Sequence, residues 1–425
     1  MRIWLIESGE PLPIDSAPGR LWRVGLLAEN LWKRGHDITW WAGTFDHTHK
    51  IHRASGFKRI DYRERLSFRL LHGASYERNV SVARLWNHYQ VASGFARKAM
   101  EESRPDGILC CVPTLELAEA AVDYGQRQGV PVIVDYRDLW PDVFVEPFPR
   151  ALHPFVRALA RPWFRMARKV FSGAAVITGI TDAFVQRALT HARRTRRASL
   201  DQSFPHGYSA EPVEHGRLEE AFRFWADRGI VPNHGQFIVT FFGQMGRRIQ
   251  LKTAVLAVQQ LAGAGHPIKL VLCGKGELEE ACRRWAAGSD AVILAGFVGL
   301  PEIQALMKLS QVGILPYPST TDFAASIPNK VIEYFSGGLP VLSSVQGIVR
   351  DMLDSEGAGL TYANNSPTSL AEAICKYLAD PNLRKLHAAN AARLFERKFS
   401  ADRVYSSMAD HVEGIILATI PAITT

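Results

Sequence analysis

Three junctions in the second half of this 425-residue sequence carry side chains suited to an anion. The first is Phe241-Phe242-Gly243-Gln244-Met245-Gly246-Arg247-Arg248, after an apolar run. Its glycines let the backbone approach a ligand, and the planar forks of Arg247 and Arg248 match phosphate oxygens. A tight turn with solvated arginines explains the same residues equally well. The second is Leu272-Cys273-Gly274-Lys275-Gly276-Glu277. Gly-x-Gly after a strand hints at a dinucleotide site, but Glu279 stands at the third glycine position, so a plain turn is the simpler reading. The third runs from Ser326 to Val341. Pro328 and Asn329 open a helix, where unpaired backbone N–H groups attract an anion. Lys330 puts a cation in that first turn, which the helix dipole disfavours unless an anion sits there too. Glu333 can accept hydrogen bonds from sugar hydroxyls. An ordinary capped helix is the bland alternative; the position of Lys330 favours a ligand.

The first half offers Val134-Asp135-Tyr136-Arg137-Asp138-Leu139-Trp140-Pro141-Asp142, the most polar cluster at a strand end. A carboxylate there can take a proton from an attacking hydroxyl or steady a developing oxocarbenium ion. An Asp–Arg pair that only holds the loop is the rival. No Asp-x-Asp occurs, and His47, His49 and His52 form no zinc framework, so no metal site is expected. Residues 150–171 read RALHPFVRALARPWFRMARKVF. Arg157, Arg161, Arg165 and Lys169 recur every fourth residue beside Phe155, Leu159, Trp163, Phe164 and Met166, and Pro162 splits the helix. Such a segment can lie on an anionic bilayer, and a half-buried core helix is about as good a reading. Eight of the ten tryptophans lie at or before residue 163, which places any interfacial tendency on the first half.

These residues need a scaffold. Short apolar runs (Arg2–Ile6, Asp37–Trp41, Asp106–Val112, Val130–Asp135, Val176–Ile180) alternate with helical periodicity. The rhythm restarts at Phe237–Phe242, Ile268–Cys273, Val292–Leu294, Val312–Pro316 and Val341–Ser343. This predicts an α/β chain of two doubly wound, Rossmann-like parallel sheets facing a central cleft. The expected domains are 1–205 and 236–400, joined by a polar linker at 206–235, with a last helix at about 401–416 that packs back on the first. Hydrophobic residues at 47% and charged residues at 22% exclude a disordered chain or coiled coil. A net charge of +8 makes an anionic partner plausible. Cys110, Cys111, Cys273, Cys282 and Cys375 are scattered, as in reduced cytosolic proteins. Met1–Ile6 is too short for a secretory core, and no run suits a membrane span.

The segment PNKVIEYFSGGLPV, with GQMGRR, LVLCGKGELE and VILAGFVGLPEIQALMKLSQVGILPY, resembles the retaining glycosyltransferases of family 4, of GT-B fold. The likeness is strongest to the bacterial branch that builds cell-surface polysaccharides. It implies that the helix at Pro328 receives the donor diphosphate and that Glu333 binds the ribose. It puts the base at Gly274, Gly276, Phe297 and Val298, and leaving-group neutralisation on Lys330 with Arg247 or Arg248. Gly19 matches the glycine that approaches the donor phosphates, with Arg20 beside it, and Asp138 matches the position near the reacting centre. Tyr76 to Ser81 and Arg84 resemble an acceptor-side segment. Ala325 replaces the first carboxylate of the family's Glu-seven-Glu motif, with Asp322 a nearby substitute. Gln244 replaces the usual Arg after Gly243.

The resemblance implies sugar transfer from a nucleotide diphosphate donor, UDP-sugar favoured, to a lipid-linked or growing glycan. The reaction is expected to be metal-independent, with no cofactor and no nucleic acid. Residues 150–171 would then meet the inner face of the cell membrane from the cytoplasm. The alternatives are a nucleotide-sugar epimerase of the same build and an inactive transferase-like scaffold.

Overall fold

Strands that are apolar on both faces must be covered by helices on both sides, which forces parallel pairing through helical crossovers. The computed structural model describes residues 1–15, 20–78, 81–231 and 235–419. It comprises two units: Met1–Pro205 with Ala401–Thr425, and His206–Ser400.

Among the described residues, the first unit holds an eight-stranded sheet. Its order is Gln202–Ser203, Val176–Gly179, Val132–Tyr136, Gly107–Val112, Arg2–Ile6, Asp37–Gly43, Leu66–Leu71, Lys58–Arg63. All pairs are parallel except the last, which is antiparallel. Lys58–Arg63 buries almost nothing and is mostly charged, as an edge strand should be, so no apolar run betrays it. Trp4, Trp40 and Trp41 are fully buried. Trp4 meets Trp41 edge-on at 5.1 Å, and Trp41 meets Phe95 at 4.9 Å. These tryptophans therefore build core and carry no interfacial tendency. The helix Ala401–Thr419 lays Val404, Tyr405, Met408, Val412 and Ile416 into this core. Arg34 and His36 hold it through Asp410 (2.6 Å) and Glu413 (2.8 and 2.6 Å).

The basic segment divides at Ala160 into helices His153–Leu159 and Arg161–Gly173, with Pro162 in the first turn of the second. The second helix buries Ala167, Val170 and Phe171. Lys169 drops out of the expected basic stripe because Asp123 (2.9 Å) and Glu119 (3.1 Å) neutralise it. Phe155 and Leu159 on the first helix are 65% and 64% exposed. No helix among the described residues is long and apolar enough to cross a membrane.

The second unit holds a parallel six-stranded sheet, among the described residues, in the order Val292–Gly296, Ile268–Cys273, Phe237–Phe242, Val312–Leu315, Val341–Ser343, Gly359–Thr361. Residues 206–231, within the stretch 206–235 expected as a linker, are built into this unit. Its helix His215–Ala226 buries Ala221 and Trp225, and the Trp225 indole donates to the Glu302 carbonyl at 2.8 Å. Its polar, turn-rich sequence hid a few large apolar anchors at helical spacing.

Candidate functional site

Two strand ends set the floor of a pocket in the second unit. Phe237–Phe242 runs into Gly243 (φ +151°), and Ile268–Cys273 into Gly274 (φ +137°) and Gly276 (φ +149°). These backbones are open to glycine almost alone. The loops also lie against each other. A Cβ on Gly274 would stand 1.8 Å from the Gly243 carbonyl oxygen, and one on Gly276 would stand 2.6 Å from that of Met245. Gly243 N–H donates to the Cys273 carbonyl and Met245 N–H to that of Lys275, both at 2.9 Å.

The helix Asn329–Ser336 supplies a wall, with Pro328 at its N-cap. Lys330 in its first turn reaches over Gly243, and its Nζ lies 4.9 Å from the Phe242 ring centroid. The same Nζ donates to Glu333 Oε2 at 2.7 Å. That carboxylate, one helical turn on, is a local counter-charge. The position of Lys330 therefore does not by itself require a bound anion. Tyr317 stands nearby, its hydroxyl pushed up to about 12 by burial and by the Glu333 charge.

The pocket measures about 340 Å³ and is lined by Phe242, Gly243, Gln244, Cys273, Gly274, Lys275, Phe297, Val298, Ile303 and Lys330. Phe297 is 75% exposed, leaving a ring face for stacking. An aromatic and aliphatic end, glycine backbone and a lysine at a helix start together suit a planar base joined to a phosphate chain.

Gly243, Gly274, Phe297, Val298 and Lys330 thus meet in one pocket, while Gly276 shapes its backing and Pro328 and Asn329 lead into its wall. Gly246 has open space about it. Arg247 points into solvent and pairs with Glu277 at 3.1 Å. Arg248 pairs with Asp322 at 3.0 Å, bonds Thr320 and stacks on Phe323. Neither arginine lines the pocket. Asp322 is held below the usual carboxylate range, burial notwithstanding, by the Arg248 and Thr320 hydrogen bonds. Asp322, the nearby substitute for the carboxylate missing at Ala325, is thus paired with Arg248.

The polar cluster of the first unit separates into different roles. Asp135 is fully buried, receives Arg23 in a fork (2.7 and 2.9 Å) and accepts from Thr178 at 2.8 Å. Burial opposes its charge, but Arg23 keeps it ionised below the ordinary range. Arg23 also donates to the carbonyls of Phe204 and Pro205, so this pair ties the strand, the helix and the segment at 204–205 together. Arg137 pairs with Glu10 (2.6 Å) and Glu7 (3.3 Å). Burial pushes the Glu7 carboxyl up, against the pull of Arg137. Glu10 Oε2 accepts from Val24 N–H at 2.9 Å, at the start of the helix Arg23–Lys33. The anion position of that helix start is thus filled by the protein's own carboxylate. Gly19, expected beside a donor phosphate, lies outside the described residues. Asp138 is exposed in the loop after Val132–Tyr136.

Phe242, Cys273, Lys275 and Ile303 line the pocket beside the residues expected there, and in the first unit Glu7 and Glu10 pair with Arg137. Phe242 and Cys273 are the last residues of strands that were legible, and Lys275 stands between two noted glycines. Ile303, Glu7 and Glu10 carry no local signal.

Residues 236–380 match the sequence model of the family described as Glycosyl transferases group 1. A 2-deoxystreptamine glucosyltransferase from Streptomyces kanamyceticus is 26% identical over 235 residues, 55% of this chain and 57% of that protein. The chain spans about half the length of the curated relatives it matches. Among solved structures, the sucrose-phosphate synthase of Thermosynechococcus elongatus superposes with a TM-score of 0.71 at 16% identity, covering 98% of this chain and 99% of that one. The Anabaena protein HepE, solved in complex with UDP-glucose, gives 0.62 at 14% identity, covering 97% and 100%. The fold is therefore GT-B, two Rossmann-like domains of parallel sheet, and residues 236–380 form a glycosyl transferases group 1 domain.

Proposed function

We propose that this chain is a retaining glycosyltransferase of family 4. It moves a sugar from a nucleotide diphosphate donor, UDP-sugar favoured, to a lipid-linked or growing glycan in cell-surface polysaccharide synthesis, without a metal ion. The observation that carries the reading is the junction of Gly243, Gly274, Phe297 and Lys330 in one pocket beside a helix start. Phe297 and Val298 hold the base, and Glu333 takes the ribose. Lys330 and the first amides of Asn329–Ser336 stabilise the leaving diphosphate. The acceptor hydroxyl attacks the face from which the diphosphate departs, and the leaving phosphate helps take its proton. Asp138, which matches the family's carboxylate position, is assigned to the acceptor's proton or the developing oxocarbenium ion. Arg247 or Arg248 joins the leaving group by exchanging Glu277 or Asp322 for phosphate.

A thermal-shift panel of UDP, GDP, ADP and dTDP tests the donor side, since a ligand of the folded state raises apparent stability. UDP is expected to give the largest rise. Lys330→Ala should lower turnover about 10²–10³-fold. Chelators should leave activity intact, and the product should keep the donor's anomeric configuration. No shift with any nucleotide, or loss of activity in chelator, refutes the reading.

The protein works at the cytoplasmic face of the membrane, where Phe155 and Leu159 enter an anionic surface beside Arg157, Arg161 and Arg165. It should co-sediment with anionic vesicles at low salt, and Phe155→Ser/Leu159→Ser should remain in the supernatant. Equal sedimentation of both proteins removes this surface.

A further inference from the structure

The helix Val82–Lys98 of the first unit has two faces. Asn87, His88, Val91, Ala92 and Phe95 are buried. Trp86, Tyr89, Gln90, Ser93 and Arg97 fall at helical spacing on another face. Trp86 and Tyr89 are 53% and 56% exposed, and their rings stack at 5.3 Å and 25°. Between this face and the end of the strand Leu66–Leu71 lies a cavity of about 270 Å³, whose lining includes Phe57, His72, Tyr89, Gln90, Ser93 and Arg97. Hydrogen bonds fix its wall. The Asn87 amide donates to the Ala74 carbonyl at 2.6 Å, and Ala74 N–H donates to Gln90 Oε1 at 2.7 Å. They dock the chain after Leu71 onto the helix. His72 on that chain stacks on His52 at 5.7 Å.

The contents of the cavity select a ligand. Lys98 covers the Phe57 ring, with Nζ 5.2 Å from its centroid, and Glu101 neutralises that lysine at 2.8 Å. Tyr89 is then the aromatic face left to a ligand. With its oxygen bonded to Ala74, the Gln90 amide keeps its NH2 as a donor. Ser93 Oγ and the Arg97 guanidinium have no hydrogen-bond partner among the described residues. A flat ring flanked by an amide, a hydroxyl, an imidazole and a guanidinium fork complements a pyranose. The C–H face of the sugar packs on the ring, and the hydroxyls around its edge take several donors and acceptors at once. The cavity lies along the C-terminal half of the helix, away from the N-terminal amides that would draw a phosphate. A bilayer would call for a projecting apolar face, whereas this one is recessed between polar walls. Trp86, stacked beside Tyr89, offers a second platform for the next sugar of a chain.

We propose that this cavity and Trp86 bind a glycan chain, with one sugar ring on Tyr89, hydrogen-bonded by Gln90, Ser93 and Arg97, and the next on Trp86. The glycan site rests on the pocket alone; that the bound chain is the growing acceptor rests on the glycosyl-transfer reading.

The test runs the whole protein through native gels carrying dextran, xylan or alginate, and reads polysaccharide affinity from the loss of mobility. The variants are Tyr89→Ala, Tyr89→Phe, Trp86→Ala and Arg97→Gln, with Lys330→Ala to mark the donor pocket. Thermal melting checks that each is folded; Tyr89→Phe and Arg97→Gln serve if an alanine variant is not. At least one polysaccharide should retard the parent. Tyr89→Ala and Trp86→Ala should each weaken that affinity about 2–12-fold while keeping parental UDP affinity, and Tyr89→Phe should stay near the parent. Retardation by alginate that falls most in Arg97→Gln assigns an acidic sugar, and retardation by dextran or xylan assigns a neutral one. No retardation of the parent in any gel, parental retardation of both alanine variants, or a loss confined to Lys330→Ala overturns the site. So does weaker sedimentation of Tyr89→Ala and Trp86→Ala with phosphatidylglycerol vesicles at parental gel mobility, which gives this face to a membrane. Retardation of a parent that binds no nucleotide leaves the glycan site standing and counts against the transfer reading.

Discussion

Alanine at Gly243 and at Gly274 should fail in different ways, and the difference follows from what each new methyl group meets. At Gly243 the obstacle is the Lys330 side chain, whose Cε would be 2.7 Å from the Cβ. A lysine side chain can swing aside, so the steric part is small. What remains is the glycine-only backbone, about 1–3 kcal/mol, or a fall in melting temperature of about 2–12 °C for a unit of this size. On the proposed function, the displaced Lys330 would no longer meet the diphosphate. Losing one charged hydrogen bond should weaken UDP about 10–150-fold. At Gly274 the obstacle is the Gly243 carbonyl oxygen, 1.8 Å from the new Cβ. Backbone paired at two strand ends cannot swing aside, so the junction must open and the stability loss should exceed about 4 kcal/mol. Calorimetric titration with UDP and thermal melting of both variants separate the two outcomes. Parental UDP affinity in Gly243→Ala, with Gly274→Ala melting within about 1 °C of the parent, would refute the reasoning.

Trp225→Ala should cost about 3–5 kcal/mol in urea unfolding, because a fully buried indole and its hydrogen bond to Glu302 are lost; a loss under about 1 kcal/mol would return residues 206–235 to the status of a linker. Arg23→Met should destabilise by about 3–5 kcal/mol by leaving Asp135 charged and buried, and Arg23→Met/Asp135→Leu should recover much of that loss. If the double variant is no more stable than the single one, Asp135 is not the source of the penalty. His47 titrates at about 4 in the folded protein and near 6.5 in an unfolded chain. Between those values the unfolded chain binds more protons, so stability should fall as pH drops from about 6.5 to about 4, with that loss complete below. Urea midpoints across this window should fall less steeply in His47→Gln; an unchanged slope assigns the titration elsewhere.

The sequence by itself determined the parallel sheets, because strands apolar on both faces and helices with one apolar stripe leave few other ways to exclude water. It also marked the glycines at two strand ends and the helix start at Pro328, since backbone permissiveness and helix capping are properties of a few adjacent residues. Only the tertiary structure decided the partners of long charged side chains. Arg247 and Arg248 are neighbours in sequence, yet they pair with Glu277 and Asp322, 30 and 74 residues away. Several carboxylates lie within reach of a flexible guanidinium, and only the packing of the strands selects one. The same holds for Glu10, which fills the helix start at Val24, and for Trp225, which turns an apparent linker into core. The edge strand Lys58–Arg63 lay beyond the apolar pattern for a related reason: it is held by backbone hydrogen bonds to Leu66–Leu71, and those do not depend on hydrophobicity.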